Sequence, residues 1–204
     1  MSESEGLLRI GIDASERMFT ASVTLGDRVE SGVVASPKRT LEDMVPLMVS
    51  LTGKLGKRIA DIDEIYVTTG PGSNTGLRMA ITFARVIFAL KPAVRIFGGS
   101  TFDMLLAGAD VEDGVTVISD RHQAFFYAVF KGGKKVADGR VEQIADLPLN
   151  GLKAICADTD EPSIAALPDC VKVDIRKALL CQCAFVEFTP DRVGELVPLY
   201  SEKI

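Results

Sequence analysis

Two aspartates and one glycine-rich turn have the residue types and spacing for chemistry. Asp13 closes the apolar run Leu8-Arg9-Ile10-Gly11-Ile12, and Asp120 closes Val115-Thr116-Val117-Ile118-Ser119. A carboxylate where a strand meets a turn can direct Mg²⁺ onto a nucleotide phosphate in phosphotransfer. The turn is Thr69-Gly70-Pro71-Gly72-Ser73-Asn74-Thr75-Gly76-Leu77-Arg78. It joins a short apolar strand pattern, Ile65-Tyr66-Val67, to a long helical pattern over 75–90. The first N–H groups of a helix have no partner within the helix, and glycine lets the backbone approach a ligand closely. Gly70, Gly72 and Ser73, together with Asp13 and Asp120, are therefore the candidate cofactor-binding residues. The turn differs from two better-known loops. A Walker-type loop needs Lys and then Ser or Thr after its last glycine, where this chain has Leu77-Arg78; a dinucleotide fingerprint needs Gly where this chain has Thr75. The same residues also suit a plain tight turn in which Ser73 or Thr75 caps the helix.

Other chemistries are narrowed by counting. His122 is the one histidine, which excludes paired-histidine metal sites and forces any Ser-His-Asp triad through it. The four cysteines are Cys156, Cys170, Cys181 and Cys183; Cys181-Gln182-Cys183 is not a CxxC, and all four read as buried, reduced thiols. Acidic residues outnumber basic ones 28 to 23, a net charge of −5, so strong direct binding of nucleic acid, tRNA included, is not expected of the chain alone. No apolar run reaches the ~20 residues that span a membrane, and the acidic start Met1-Ser2-Glu3-Ser4-Glu5 is unlike a signal peptide. A cytoplasmic protein with no membrane contact is the expectation.

The elements that must position these residues follow from periodicity. Alternation over 7–14, 18–25 and 28–35, with Gly26-Asp27 as a hairpin turn, predicts a three-stranded meander. A helix is predicted over 40–55, with Pro46 inside it. After the 65–67 strand and the 75–90 helix, a strand at 94–97 leads into a helix over 101–109 capped by Ser100. The second half repeats the order: strands at 115–120, 124–130, 135–141, 153–157 and 171–173, short helices near 142–147 and 162–167, and a last helix over 175–188. This divides the chain into an N-terminal half, 1–109, and a smaller C-terminal half, 110–204. The fold class is α/β, a duplicated βββαβαβα unit with a reduced second half. That is the ribonuclease H-like plan of the actin, Hsp70 and sugar-kinase superfamily, whose halves pack around a cleft. Members that use the cleft carry Asp-x-Gly in the first turn. Here Asp13 precedes Ala14-Ser15 and Asp120 precedes Arg121-His122, so the cleft reads as vestigial.

The 75–90 helix stands out. Gly76, Ala80 and Ala84 make a stripe of small residues; Leu77, Ile81, Phe83, Ile87, Phe88 and Leu90 cover most of the rest; Arg78, Thr82 and Arg85 are its polar residues. A helix so apolar is sandwiched inside the domain or covers one face with a partner. Met44, Leu47 and Met48 on the 40–55 helix suit a core or an adaptable interface.

Five segments in order resemble one family. They are Ile10-Gly11-Ile12-Asp13-Ala14-Ser15, the run Gly70-Pro71-Gly72-Ser73-Asn74-Thr75-Gly76-Leu77-Arg78, Gly99-Ser100-Thr101-Phe102, Ser119-Asp120-Arg121 and Pro198-Leu199-Tyr200. The family is TsaB (also called YeaZ), the partner subunit in bacterial threonylcarbamoyladenosine biosynthesis. The resemblance implies a non-catalytic relative of TsaD, the subunit that transfers threonylcarbamoyl to the adenosine next to the tRNA anticodon. TsaD holds a metal through paired histidines on its first long helix, and this chain has none there. The resemblance further implies a TsaD-family partner, a TsaE-family ATPase, a homodimer in the absence of TsaD, and no required cofactor, with room for weak nucleotide binding. Association would run through the first two long helices, here Leu41, Met44, Met48, Gly76, Leu77, Ala80, Ile81, Ala84 and Ile87. The alternative is a nucleotide-dependent enzyme, a phosphotransferase or glycoprotease-like peptidase, using the cleft around Asp13 and Asp120.

Overall fold

The computed structural model describes residues 6–16, 18–34, 40–120, 124–158, 164, 167 and 169–199 of the 204-residue chain, without the side chains of 40, 41 and 120. The first half is β1 (Leu8–Asp13), β2 (Phe19–Leu25), β3 (Arg28–Val34), α1 (Thr40–Lys54), β4 (Glu64–Gly70), α2 (Asn74–Leu90), β5 (Arg95–Ser100) and α3 (Thr101–Ala109). The second is β6 (Gly114–Asp120), β7 (Ala124–Lys131), β8 (Lys134–Val141), β9 (Ala154–Ala157), β10 (Val171–Val173), a single helical turn α4 (Ile175–Ala178), and β11 (Val186–Phe188).

The duplication is plain in the sheets. One has the order β11-β5-β4-β1-β2-β3 and the other β10-β9-β6-β7-β8. Replacing each of β1–β5 by the strand five later turns one order into the other, β11 aside. In each sheet the first strand pairs antiparallel with the second and parallel with the fourth. Asp13 and Asp120 thus end equivalent strands. The second half is reduced in its helices: where α1 sits in the first, the second has only the 3-10 turn Ile144–Asp146.

Three apolar layers hold these sheets. Ile10, Ile12, Ile65 and Val67 point from one face of the first sheet onto Met44, Met48 and Leu51 of α1 and Ala80, Ile81 and Ala84 of α2. The opposite face, with Tyr66, packs through Phe102 and Leu105 of α3 and Leu179 after α4 onto Ile118, Phe126 and Ile155 of the second sheet. Val115, Val117, Phe125 and Val129 cover that sheet's far face. β7 is an inner strand buried on both sides, which is why Ala124-Phe125-Phe126-Tyr127-Ala128-Val129-Phe130 reads as an almost unbroken apolar run.

Three expectations need correction. The helix over 175–188 does not form: after α4 comes a 3-10 turn, Gln182–Ala184, and then β11, antiparallel to β5. Apolar residues at 175, 179, 180, 183 and 186 fit helical spacing, yet Cys183 and Val186 are exposed. The aromatic and β-branched run Phe185-Val186-Glu187-Phe188 gains more from the open edge of β5. There Glu187 pairs with Arg95 through two 2.8 Å bonds. Second, Cys156 and Cys170 form a disulfide from β9 to the residue before β10. Only the parallel pairing of those strands brings the two together, and no spacing rule reveals that. Cys181 and Cys183 are free, and burial pushes the Cys181 thiol up. Third, β4 and β5 run on through Gly70 and through Gly98-Gly99, farther than their apolar runs. The short helix expected near 162–167 lies largely outside the described residues, as does His122.

Candidate functional site

The glycine turn is built as a contact between segments of the chain. Gly70 has φ +111° and Gly72 has φ +149°, backbone that side chains other than glycine's rarely adopt. Ser73 caps α2, its Oγ accepting from the Gly76 N–H at 3.2 Å. The Ser73 N–H donates to the Ser15 carbonyl at 2.6 Å. A Cβ on Gly72 would meet that same carbonyl oxygen, and one on Gly76 would meet the Ala14 oxygen, both well inside any allowed contact. From the other side the Leu199 N–H donates to the Thr69 carbonyl at 2.6 Å. The glycines thus admit the Ala14-Ser15 turn and the Pro198-Leu199 segment.

Asp13 lies beneath this contact, only 1% exposed. Thr68 Oγ1 donates to its Oδ1 at 2.5 Å, and the Ser15 N–H donates to the same oxygen at 3.2 Å. Burial pushes the carboxyl above its ordinary range, and these hydrogen bonds oppose the shift without cancelling it. The sign of the linkage follows. A raised folded value costs nothing below the unfolded carboxyl pKa of about 3.9, and the cost grows as pH rises through the folded value. Asp13→Asn is therefore expected to be more stable relative to wild type at neutral pH than at pH ~3. Urea midpoints at the two pH values check this; an unchanged difference would remove burial of charge as the cause. Asp120 ends β6 opposite Ala124, and its side chain lies outside the described residues.

The helical residues divide differently from the sequence expectation. Leu77, Ala80, Ile81, Ala84 and Ile87 are buried in the chain's own core, as are Met44 and Met48. Ala80 and Ala84 have 0% exposure, so neither can meet a partner without unfolding. The small-residue stripe instead lies within the chain's own core, where Gly76 sits against Ala14 in the turn after β1. Leu41 has no described side chain. The outer face of α2 follows Arg78, Thr82 and Val86, and α1 exposes Val45 and Val49. Between them runs an apolar groove of about 320 Å³, lined by Met44, Val45, Arg78, Met79, Phe83 and Val86. The residues that the sequence singles out on these two helices lie on their inner faces. The polar residues Arg78 and Thr82, four apart, marked the outward direction, and Val86 continues their line.

A second site went unnoticed. Arg9, Glu64 and Arg95 stand side by side across β1, β4 and β5. Glu64 accepts from Arg9 Nε at 2.8 Å, Arg95 Nη1 at 2.8 Å and the Tyr66 hydroxyl at 2.9 Å. Burial and the bond to Glu64 push the Tyr66 hydroxyl up to about 12, which keeps it a donor. Charges spaced one per strand in three separated strands leave no local signal.

Among the described residues no group of three His, Cys, Asp or Glu side chains is placed to hold a metal ion, and no helix is long and apolar enough to cross a membrane. Comparison with known proteins places these features. Residues 31–169, more than half of the chain, match the family model described as TsaD, tRNA N6-adenosine threonylcarbamoyltransferase. The uncharacterised proteins Rv3421c of Mycobacterium tuberculosis and Mb3455c of Mycobacterium bovis are each 26% identical over 178 residues, 87% of this chain and 80% of theirs. The structure of an uncharacterised Pseudomonas aeruginosa protein with similarity to peptidase YEAZ superposes with a TM-score of 0.71 at 16% identity, covering 95% of this chain and 99% of that one. YeaZ from Pseudomonas aeruginosa superposes with a TM-score of 0.69 at 15% identity and the same coverage. The chain belongs to the TsaD family, whose model carries the name tRNA N6-adenosine threonylcarbamoyltransferase, and it has the fold of YeaZ, the protein also called TsaB.

Proposed function

We propose that this chain is a TsaB-type partner subunit that binds a TsaD-family protein in threonylcarbamoylation of the adenosine next to the tRNA anticodon, and performs no catalysis itself. The observation that carries the reading is the apolar groove between α1 and α2. Val45, Val49, Val86 and Leu90 are large apolar side chains exposed on these two helices. Contiguous apolar surface of this kind marks a place of association. The partner would lay an apolar helix face into the groove, and the same surface would serve a homodimer when that partner is absent. A TsaE-family ATPase belongs to the proposal as the second partner. Cofactor independence belongs to it too, and the packing of the glycine turn on Ala14-Ser15 supports it.

The enzyme reading draws on Asp13 and Asp120. It has less support, because Asp13 is sealed by Thr68 and the Ser15 turn, where burial holds its carboxyl above the ordinary range. Deuterium exchange on mixing with a TsaD-family subunit tests the choice. Protection is expected over 44–52 and 78–90. Protection confined to the ends of β1 and β6 would instead favour the cleft.

A further inference from the structure

We infer that the pocket beside Glu64, across the first sheet from the helical groove, is a binding site for a small monocarboxylate with an apolar body. The inference is independent of the partner-subunit reading. The cavity is about 480 Å³, in the range of small-molecule sites. Its polar wall is Arg9, Glu64 and Arg95, its apolar wall is Tyr66, Phe97 and Phe185, and the exposed Gln182 also lines it.

A purely structural role accounts for part of this. Glu64 is buried and its carboxylate is satisfied by three donors, so it ties β1, β4 and β5 together. That role uses only one of the five N–H groups of Arg9, the one on Nε. Its terminal fork, on a side chain that is 32% exposed and lines the cavity, has no partner among the described residues. Arg95 is held differently: Glu64 takes one nitrogen and Glu187 two. The hub therefore fixes the Arg9 guanidinium in place and leaves its outer edge open. Such an edge matches a carboxylate through two parallel hydrogen bonds.

The rings specify the rest of the ligand. Tyr66 and Phe97 stack in parallel with centroids 4.6 Å apart, and Phe185 stands edge-on to Tyr66 at 5.5 Å. The ring faces are taken up by one another and by Arg95, whose guanidinium lies 4.9 Å from the Phe97 centroid, so the wall is apolar without an open ring face and suits a small apolar body that carries the acid group. Two guanidinium and two carboxylate charges cancel, so the Arg9 fork can meet one carboxylate and nothing among these four groups offsets a second negative charge. Arg9 and Arg95 are offset by Glu64 within the pocket and by Glu187 at its edge. A dianion such as phosphate would be repelled by the buried Glu64 carboxylate.

Titration of the ¹⁵N-labelled full chain with sodium benzoate tests this, with benzamide as the neutral isostere and inorganic phosphate as the dianion. Saturable benzoate shifts are expected at the amides of Arg9, Phe97 and Gln182, with benzamide and phosphate each at least ~10-fold weaker. Arg9→Lys keeps the charge and loses the fork, and should weaken benzoate by ~10-fold. Arg9→Met should abolish its binding. If Arg9→Met fails to fold, Arg9→Lys and the exposed Gln182→Ala, expected to weaken benzoate a few-fold, carry the test. Equal binding of benzoate and benzamide, full affinity in Arg9→Lys, or shifts absent from this pocket would each overturn the inference.

Discussion

Val86→Glu is expected to abolish association with a TsaD-family subunit while leaving the fold intact. Val86 is 50% exposed on α2 and lines the groove with Met79, Phe83 and Val45. At an exposed helical site the substitution costs the isolated chain within about 0.5 kcal/mol. In a complex the new carboxylate would be buried against the apolar side chains of the groove. Stranding such a charge costs about 3 kcal/mol or more, at least a hundredfold in affinity. Ala84→Glu makes the contrast. At 0% exposure on the inner face of the same helix, it should unfold the chain rather than spare it. Thermal melts and titration calorimetry on the two variants separate these outcomes. Undiminished binding by folded Val86→Glu would take the groove out of the interface.

The second large effect concerns Gly76. Helix propensity alone predicts that Gly→Ala inside a helix stabilises by about 1 kcal/mol. Gly53, in the last turn of α1, has nothing within 4 Å of a new Cβ, so Gly53→Ala should show that gain. At Gly76 a Cβ would overlap the Ala14 carbonyl oxygen, which is backbone in a buried turn and cannot swing aside. Overpacking of this kind costs about 1–3 kcal/mol, enough to outweigh propensity. Gly76→Ala should therefore lower Tm while Gly53→Ala raises it. A rise at both positions would mean that α2 can lift from the Ala14-Ser15 turn without loss.

Much of this was legible in the letters. Alternation gave the meander, Ser73 and Ser100 announced the starts of α2 and α3, and the two aspartates exposed the duplication before any sheet order was known. What was hidden depended on which elements meet. The stripe Gly76, Ala80, Ala84 invites a close neighbour, and a sequence cannot say whether that neighbour belongs to the same chain or to a second protein. Here it is the chain's own core. The glycine turn carries the same ambiguity, because the absence of a Cβ serves a phosphate and a peptide carbonyl equally well. The Ser15 carbonyl takes that place. β11 was missed because its value lies in the edge of β5, ninety residues away in the chain. The hub at Glu64 was missed for a similar reason, since Arg9, Glu64 and Arg95 become neighbours only through strand register.

The central claim is that the α1–α2 face is an interface for a TsaD-family partner. Light scattering after size exclusion, on the chain alone and on an equimolar mixture with a TsaD-family subunit, tests it most directly. The account predicts a homodimer mass for the chain alone and a one-to-one heterodimer in the mixture, with Val86→Glu abolishing both species. Two separate peaks in the mixture, each at the mass it has alone, would contradict it.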